Sequence, residues 1–333
     1  MVIATIASLN HVPKALVMAE SVRRVYPNAT LVLCLLEKEV PKSLVLDTFN
    51  VVVTPSSMSV PDLPRFMFRH SALECACALK AWLLLWLMNA YLDTDVFIYL
   101  DSDTLVFSPF DELFELLSEA SIVVTPHHVN DEREAEAMRD NMFRTLMCGA
   151  YNLGFLAIRR SDESERFLHW WHHKLVHFCY VDFTTGLFVD QKWVDLAYSL
   201  FDVRPLREPG YNVANWNISQ RPLDDSGGTI TTAGKPLRFL HFSKIDSGKD
   251  MYYFKKYARP TDAIFGLREC YKREVQRHDA DGLSRKDWTY GVFYSGERIL
   301  PNARLKYREN KQLLALNVDP FTLSNDAILA FAK

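Results

Sequence analysis

Asp101 and Asp103, with one residue between them, follow directly after an apolar run that ends at Leu100. Side chains at i and i+2 of an extended chain point to the same side, so both carboxylates can face one point beyond a strand end. Hard oxygen ligands of this kind suit a divalent ion such as Mg²⁺ or Mn²⁺, which can also hold phosphate oxygens. Asp is also common in turns after strands, so the pair by itself is a weak signal.

The segments that would position these acids alternate between apolar strand-like runs and runs with helical spacing. Such alternation predicts βαβ units and a mostly parallel sheet flanked by helices, in which ligands bind past the carboxyl ends of the strands. The predicted strands cover 2–7, 31–36, 50–54, 96–100, 121–125, 153–158 and 237–242, and the predicted helices cover 11–26, 71–91 and 161–176. The polar segment 130–146 is expected to be a helix or a mobile loop beside the site.

Composition narrows the function classes. The chain has 333 residues, 49% of them hydrophobic, and a formal net charge of −3, which gives no general attraction to nucleic acid or to an anionic membrane. Basic residues cluster only over 255–285 and 298–311, where a local basic face is an open alternative to an ordinary solvated surface. Six cysteines form no CxxC pair, which is typical of free thiols in a reducing compartment. Without a signal peptide or a long apolar span, the sequence predicts a cytoplasmic protein.

Common nucleotide-binding and hydrolytic motifs are missing from the sequence. No GxGxxG follows the first predicted strand, and the Gly228 to Pro236 region departs from a P-loop in spacing and in its last residue. Neither a GxSxG elbow nor an HExxH motif occurs. Phosphate chemistry in this protein is therefore expected to depend on a metal ion.

Several segments in fixed order carry a family resemblance. They are 3–24, 99–107 (YLDSDTLVF), 151–161 (YNLGFLAIRRS), 187–196 (LFVDQKWVDL) and 237–243 (LRFLHFS). Together they resemble metal-dependent glycosyltransferases of the GT-A fold, and most closely the group around glycosyltransferase family 8 with glycogenin and bacterial galactosyltransferases. LKAWLLLWL and REPGYNVANWN further resemble a bacterial type found in polysaccharide gene clusters. The resemblance implies a GT-A catalytic domain over 1–246 and a mainly helical C-terminal extension over 247–333.

For the metal, the resemblance implies that Asp101, Asp103 and the late His241 hold Mn²⁺ or Mg²⁺, with Ser102 between the acids beside the donor. The alternative for His241 is a hydrogen-bonded core histidine. The segment HFSKID departs from the family pattern His-Phe-x-Gly-x-x-Lys-Pro-Trp. Lys244 is for that reason only a tentative match to the family's phosphate-binding lysine.

For the donor, the resemblance places uridine against Ala4 and Thr5 in the opening strand. It places Lys80 near the donor sugar and phosphates, and Asn152 and Gly154 against the sugar. Each position has a structural alternative: helix–sheet packing for the small residues, a snorkelling surface lysine for Lys80, and a turn for the Asn-x-Gly loop.

The resemblance also assigns Asp190 and Gln191 to the anomeric carbon, where a carboxylate and an amide can stabilise an oxocarbenium-like transition state. An acid favoured at a helix N-terminus is the alternative for Asp190. A second sugar-contact region is expected in a loop rich in amides and aromatics, formed by Tyr211, Asn212, Asn215 and Trp216. His169, His173 and His177 share one predicted helix face but have no acid among them, and we expect them to have no metal.

The expected function is transfer of a hexose from a nucleotide-diphosphate sugar, with a UDP-sugar as the expected donor, to a glycan or a lipid-linked acceptor. Retention of the anomeric configuration is expected if the family likeness is deep. Peripheral contact with the inner face of the membrane, through the C-terminal region, is left open, as is the oligomeric state. The alternatives are a catalytically idle nucleotide-sugar or glycan-binding protein on the same fold, or a sugar nucleotidyltransferase. The nucleotidyltransferase would need a Gly-rich basic loop after the first strand, and SLNHVPK offers none.

Overall fold

A computed structural model describes residues 1–331, except for the side chain of Ser226. The strands are β1 Val2–Ala7, β2 Thr30–Leu35, β3 Val51–Val53, β4 Val96–Leu100, β5 Thr104–Val106, β6 Ile122–Pro126, β7 Tyr151–Arg159, β8 Val181–Asp182, β9 Leu187–Phe188, β10 Val203–Pro205, β11 Val213–Ala214, β12 Leu223–Ser226, β13 Thr229–Thr232, β14 Lys235–Pro236 and β15 Phe239–His241.

The α-helices are α1 Val12–Val25, α2 Leu63–Arg69, α3 Ala72–Ala78, α4 Lys80–Ala90, α5 Asp111–Glu119, α6 Ala135–Ala137, α7 Phe143–Cys148, α8 Asp162–Phe178, α9 Gln191–Leu200, α10 Asp250–Tyr257, α11 Ile264–His278, α12 Pro301–Glu309, α13 Lys311–Ala315 and α14 Asn325–Leu329. Short 3₁₀ turns lie at Leu9–His11, Leu283–Arg285, Thr289–Gly291 and Pro320–Thr322. A π-helical turn, Met138–Met142, joins α6 to α7.

The central sheet has seven strands in the order β10-β6-β7-β4-β1-β2-β3. β1 is parallel to β2 and β4, β2 is parallel to β3, and β6 is parallel to β10. β7 alone runs antiparallel to both of its neighbours, β4 and β6. The predicted α/β class with a mostly parallel sheet is therefore confirmed, and the single reversed strand places residues 151–154 at the same edge as the end of β4.

A small second sheet, β11-β15-β5, completes that edge. β15 is antiparallel to β5, and His241 pairs with Thr104. Because Thr104 follows Asp103 directly, this register brings His241 to the end of β4. His241 lies 140 residues after Asp101 in the sequence. Strand pairing thus joins two distant segments at the point where the carboxylates leave the sheet.

Helices cover both faces of the central sheet. On one face, apolar side chains of α1 and α5 pack against β1, β2 and β4. On the other face, α3, α4 and α8 pack against the opposite side of the same strands. This two-sided burial explains the near-continuous apolar runs of the strands, because neither face meets water.

The predicted helix 71–91 is two helices rather than one. α3 begins with a capping box in which Ser71 and Glu74 satisfy each other's backbone groups, and the axis bends by 41° at Leu79. After the bend, Lys80 is the first residue of α4, and its ammonium reaches Leu153 and Asp101 at the sheet edge. No single helix within 1–331 has the length and apolar character to cross a membrane, although the bent pair α3–α4 meets both criteria when taken together.

The segment after residue 247 is mainly helical, as expected for the C-terminal extension. Its side chains join the same apolar clusters as the rest of the chain: Tyr290, Phe293 and Tyr307 pack with α3 and α4 residues, and Phe254 and Tyr271 pack with Phe242. The division into 1–246 and 247–333 stays a prediction.

Candidate active site

Three potential metal ligands meet where β4 ends, and they are the residues predicted for the metal. Asp101, Asp103 and His241 each offer one ligand atom, and these atoms lie within 4.8 Å of one another. His241 Nε2 is 3.0 Å from Asp103 Oδ1 and 3.8 Å from Asp101 Oδ2. Within residues 1–331 no other group of three or more His, Cys, Asp or Glu side chains has this proximity. We call these three residues the metal corner.

The orientation of His241 is fixed by Asn212. The amide nitrogen of Asn212 donates to Thr125 Oγ1 at 2.8 Å and to Asn152 Oδ1 at 3.0 Å, so its oxygen must face His241 Nδ1, 3.2 Å away. Nδ1 is therefore the protonated donor, and Nε2 faces the carboxylates. A hydrogen bond on the far nitrogen is the usual way in which proteins orient a histidine ligand.

Asn212 is itself held in an unusual backbone conformation. Its φ is +53°, in the left-handed region that asparagine tolerates better than most residues. Asn217 Nδ2 and Arg221 Nη1 donate to its carbonyl oxygen at 3.0 and 3.4 Å, and both side chains are buried. The side chain of Asn212 is buried behind His241, and its predicted contact with the donor stays a prediction.

His241 and Asp103 shift each other's pKa in opposite directions. Burial lowers the pKa of His241, but Asp103 and Asp101 outweigh it, and the pKa of His241 is raised. Burial acts to raise the pKa of Asp103, yet His241 holds this pKa well below the usual range. Asp103 therefore stays ionised, as a carboxylate ligand must be.

Lys80 links the metal corner to the opposite wall of the pocket. Its ammonium lies 3.3 Å from Asp101 Oδ1 and 2.9 Å from Asp190 Oδ2, and it donates to Leu153 O at 2.8 Å. Burial disfavours the charged lysine, but the two carboxylates raise its pKa well above the usual value. The interpretation of Lys80 as a snorkelling surface lysine is wrong, because the residue is only 3% exposed.

Asp190 and Gln191 stand at the start of α9, beside Lys80. Burial raises the pKa of Asp190, although Lys80 acts in the opposite direction. Gln191 Nε2 donates to Cys148 O at 2.8 Å, which directs the amide oxygen away from that carbonyl. The preceding residue, Val189, has φ +40°, a strained value for a β-branched side chain. Strain next to a buried acid is a common feature of functional sites.

Gly154 leaves room for the ligands themselves. A Cβ atom at this position would lie 2.4 Å from His241 Cε1 and 2.8 Å from Asp101 Oδ2. Its backbone N–H also donates to Asn152 Oδ1 at 3.1 Å. Any larger residue would displace the metal corner, which gives this glycine a packing reason in addition to the expected sugar contact.

These side chains surround one cavity of about 220 Å³ that opens to solvent. Eleven residues named from the sequence line it: Lys80, Asp101, Asp103, Asn152, Gly154, Asp190, Gln191, Asn215, Trp216, His241 and Lys244. Sequence segments that are far apart are therefore gathered around one pocket, while the individual roles of these residues stay predictions.

The remaining predicted contacts do not line the cavity. Ala4 and Thr5 are fully buried in β1, Ser102 is buried beside the acids, and Tyr211 packs in the core with its hydroxyl donating to Glu112 at 3.0 Å. Thr5 Oγ1 has no hydrogen-bond partner within residues 1–331. The placement of uridine against β1 stays a prediction.

Other cavity residues were not found from the sequence. Arg144 and Thr145 of α7, together with His127 and Tyr253, also line the pocket. Burial lowers the pKa of His127 to about 3, so it is neutral near neutral pH. Its ring packs edge-on against Trp216, which in turn meets His241. No local sequence pattern predicts these residues as part of the site, because only the fold brings them to the cavity.

The three histidines on α8 lie apart from the metal corner, and their expected lack of a metal stays a prediction. His169, His173 and His177 are exposed, and they are absent from the ligand group described above. The rings of His173 and His177 lie 5.1 Å apart on successive turns.

Comparisons with known proteins give limited matches. No family model matches the chain. YfnF of Bacillus subtilis (strain 168), named as an uncharacterized protein, is 31% identical over 155 residues, which cover 46% of this chain and 48% of YfnF. The chain thus aligns with about half the length of this curated relative.

Solved structures with a similar arrangement are glycosyltransferases by name. A galactosyltransferase, LgtC, in complex with donor and acceptor sugar analogs is 15% identical, with 83% of this chain and 96% of LgtC covered and a TM-score of 0.47. The glycosyltransferase GlyE of Streptococcus pneumoniae TIGR4 is 14% identical, with 88% and 66% covered and a TM-score of 0.45. Mouse xyloside xylosyltransferase 1 is 13% identical, with 72% and 96% covered and a TM-score of 0.40. At these scores the matches do not define the activity of this chain.

Proposed function

We propose that this protein is a metal-dependent glycosyltransferase of the GT-A type that moves a hexose from a nucleotide-diphosphate sugar to a glycan or lipid-linked acceptor. One observation carries the proposal. A metal corner at the carboxyl end of a parallel strand shares a cavity with a buried Lys80–Asp190 pair. A nucleotide-diphosphate sugar needs both next to each other: metal ligands for its diphosphate and hydrogen-bonding side chains for its sugar.

The residues present fit a divalent ion. Two carboxylates and one imidazole form a donor set suited to Mn²⁺ or Mg²⁺, and the Asn212 hydrogen bond leaves His241 Nε2 facing the acids. When bound, such an ion would neutralise the negative charge that develops on a diphosphate leaving group. Asp101, Asp103 and His241 would hold it.

The chain's own groups would act on the sugar from the other wall. Asp190 can accept hydrogen bonds from sugar hydroxyls or face positive charge at the anomeric carbon, and Gln191 presents an amide oxygen beside it. Lys80 holds Asp190 in place through its 2.9 Å contact and adds positive charge beside the donor phosphates. With no separate acceptor-activating base identified, we favour retention of configuration and a UDP-sugar as donor.

The test is metal-dependent turnover of a panel of UDP-, GDP-, CDP- and TDP-sugars. The wild-type protein should release the nucleotide diphosphate with Mn²⁺ and stop when EDTA is added. Asp103→Asn should lower this rate about a hundredfold or more, because it removes a charged ligand and leaves His241 without its partner.

Asp93→Asn is a matched control, since Asp93 is exposed and precedes β4, at the end of the strand opposite the metal corner. Metal-independent release, or an Asp103→Asn protein with wild-type activity, would refute the metal-dependent mechanism. Nucleotide binding without turnover of any sugar in the panel would favour the idle binding protein instead.

A further inference from the structure

The surface beside the cavity mouth carries exposed apolar side chains. On α7, Phe143, Leu146 and Met147 are 58%, 73% and 51% exposed. Their spacing of i, i+3 and i+4 places them on one face of the helix. The sequence predicted a polar, acidic segment here, but its last turn presents an apolar face to solvent.

This face is directly coupled to the cavity. Arg144, Thr145 and Cys148 of the same helix line the cavity. Lys192 Nζ donates to Leu146 O at 3.0 Å and so fastens the helix to α9, which begins with Gln191. The exposed apolar face and the cavity lining are therefore two sides of one short helix.

The apolar surface continues around the mouth. Leu73 lines the cavity and is still 59% exposed, while Phe183 is 46% exposed and stacks on Phe188, another cavity residue, at 5.4 Å. We call Leu73, Phe143, Leu146, Met147 and Phe183 the apolar collar. Clustered exposed residues of this size mark interaction sites more often than isolated ones do.

Positive charge accompanies the collar. Arg144 and Lys244 line the cavity, and Arg207 lines a neighbouring groove together with Leu146. Within residues 1–331, none of these three cations lies within ion-pair distance of a carboxylate. Two acids near the collar are already paired with lysines, Asp140 with Lys256 at 2.6 Å and Asp195 with Lys192 at 2.9 Å.

We propose that the apolar collar docks on a membrane surface that carries anionic lipid phosphates, and that the cavity then receives its acceptor from that membrane as a lipid-linked saccharide. The second half of this statement rests on the proposed glycosyltransferase function. Apolar side chains that enter the interface and unpaired cations that meet lipid phosphates are the two components of interfacial binding.

Charge complementarity selects this occupant. The whole chain carries a formal charge of −3, so it has no general attraction to an anionic surface. At the mouth, however, Arg144, Lys244 and Arg207 have no carboxylate within ion-pair distance among residues 1–331, so their positive charge is available to lipid phosphates. The collar also places any membrane contact at the cavity, rather than in the basic C-terminal segments that the sequence left open.

The experiment is flotation of the full chain with vesicles of phosphatidylcholine alone and of phosphatidylcholine mixed with phosphatidylglycerol. Wild-type protein should float with the mixed vesicles, and less with the neutral ones. The triple variant Phe143→Ser, Leu146→Ser, Met147→Ser should bind the mixed vesicles about tenfold more weakly or worse, since most of the inserted apolar area is lost. Melting curves of the variant confirm that it is folded.

Leu92→Ser is the control, because Leu92 is 73% exposed but precedes β4 at the opposite end of the strand from Asp101. Wild-type protein that does not float with either vesicle, or a triple variant that floats like the wild type, would overturn the proposal. So would self-association of the wild type that the triple variant abolishes, which would assign the collar to a second copy of this chain. Nucleotide release in the absence of vesicles is measured separately, so a failed membrane contact and a failed glycosyltransferase assignment give different results.

Discussion

Two clusters of buried charge in this protein differ in what neutralises them. In the cavity, Lys80 meets the side chains of Asp101 and Asp190, and part of the cluster faces open space. In the second cluster, where the C-terminal helices meet α2, Glu37 and Arg304 interact almost entirely with backbone groups. We call Glu37 and Arg304 the C-terminal clamp.

The clamp contacts are those of a structural joint. Arg304 Nη1 donates to the carbonyl oxygens of Met67, Phe68 and His70 at 2.9 to 3.0 Å, and Nη2 donates to that of Tyr290. The carbonyls of Met67, Phe68 and His70 lie at the C-terminal end of α2, where a cation interacts favourably with the helix dipole.

Glu37, on the other side of the joint, accepts hydrogen bonds from the backbone N–H groups of Leu9 and Thr289, both at 2.8 Å. Leu9 follows β1, and Thr289 belongs to the C-terminal region. One carboxylate thus ties the C-terminal segment to the loop after the first strand.

The two clusters therefore differ in what their buried charges serve: stability in the clamp and a ligand in the cavity. The clamp groups bond mainly to backbone groups, and the hydroxyl of Thr289 also donates to Glu37. Cavity groups neutralise each other only partly, and Asp190 Oδ2 lacks a hydrogen bond of good geometry despite its proximity to Lys80. We therefore expect clamp variants to unfold more easily and cavity variants to lose activity while they remain folded.

Arg304→Met should have the largest effect, a loss of about 3–5 kcal/mol in the free energy of unfolding. The change leaves four buried carbonyl oxygens without their donor. Urea denaturation measures it, with Arg298→Met as the control because the Arg298 side chain is 80% exposed. A variant as stable as the wild type would remove the distinction between the two clusters.

Asp190→Asn tests the cavity side. We expect kcat to fall about a hundredfold or more, since the variant loses the carboxylate that we propose to face the reacting sugar. The melting temperature should fall by at most a few degrees, or rise, because burial already raises the pKa of Asp190 and disfavours its charged form. Asp47→Asn, at an exposed position between β2 and β3, is the control. Strong destabilisation with unchanged kcat per folded molecule would place Asp190 with the clamp.

Asn212→Ala addresses the hydrogen bond behind the metal corner. Loss of the partner that orients His241 should weaken Mn²⁺ binding about 10- to 100-fold, as found for such supporting residues in general. Calorimetric titration with Mn²⁺ measures this, and Asn302→Ala at an exposed helical position is the control. Unchanged affinity would show that His241 needs no orientation by Asn212.

Acid should weaken both regions by a smaller amount. Burial lowers the pKa of His70, beside the clamp, to about 4, and that of His127, in the cavity, to about 3. The unfolded chain therefore binds more protons than the folded one below about pH 6.5, and stability falls as pH falls from there toward about 4. Each histidine should contribute on the order of 1–2 kcal/mol at about pH 5. Urea midpoints that do not change between about pH 7 and about pH 5 would contradict this expectation.

The sequence alone determined the elements and most of the candidate site. Apolar runs bounded by polar turns predicted six of the seven strands of the central sheet, since two-sided burial demands continuous apolar residues, whereas the short edge strand β10 was missed. Asp101 and Asp103 were predicted to share one side of the chain because their spacing follows strand geometry. The break of the 71–91 helix at Leu79 was missed, because an unbroken apolar composition gives no local signal of a bend.

Only the tertiary structure decided which residues meet. The pairing of β15 with β5 brings His241 to Asp103, and no pattern within either segment encodes that register. The same holds for Asn212, whose side chain bonds to Thr125, Asn152 and His241 from three distant segments, and for the exposed face of α7. Local sequence fixes periodicity over a few residues, whereas contacts between distant segments depend on how the whole core packs.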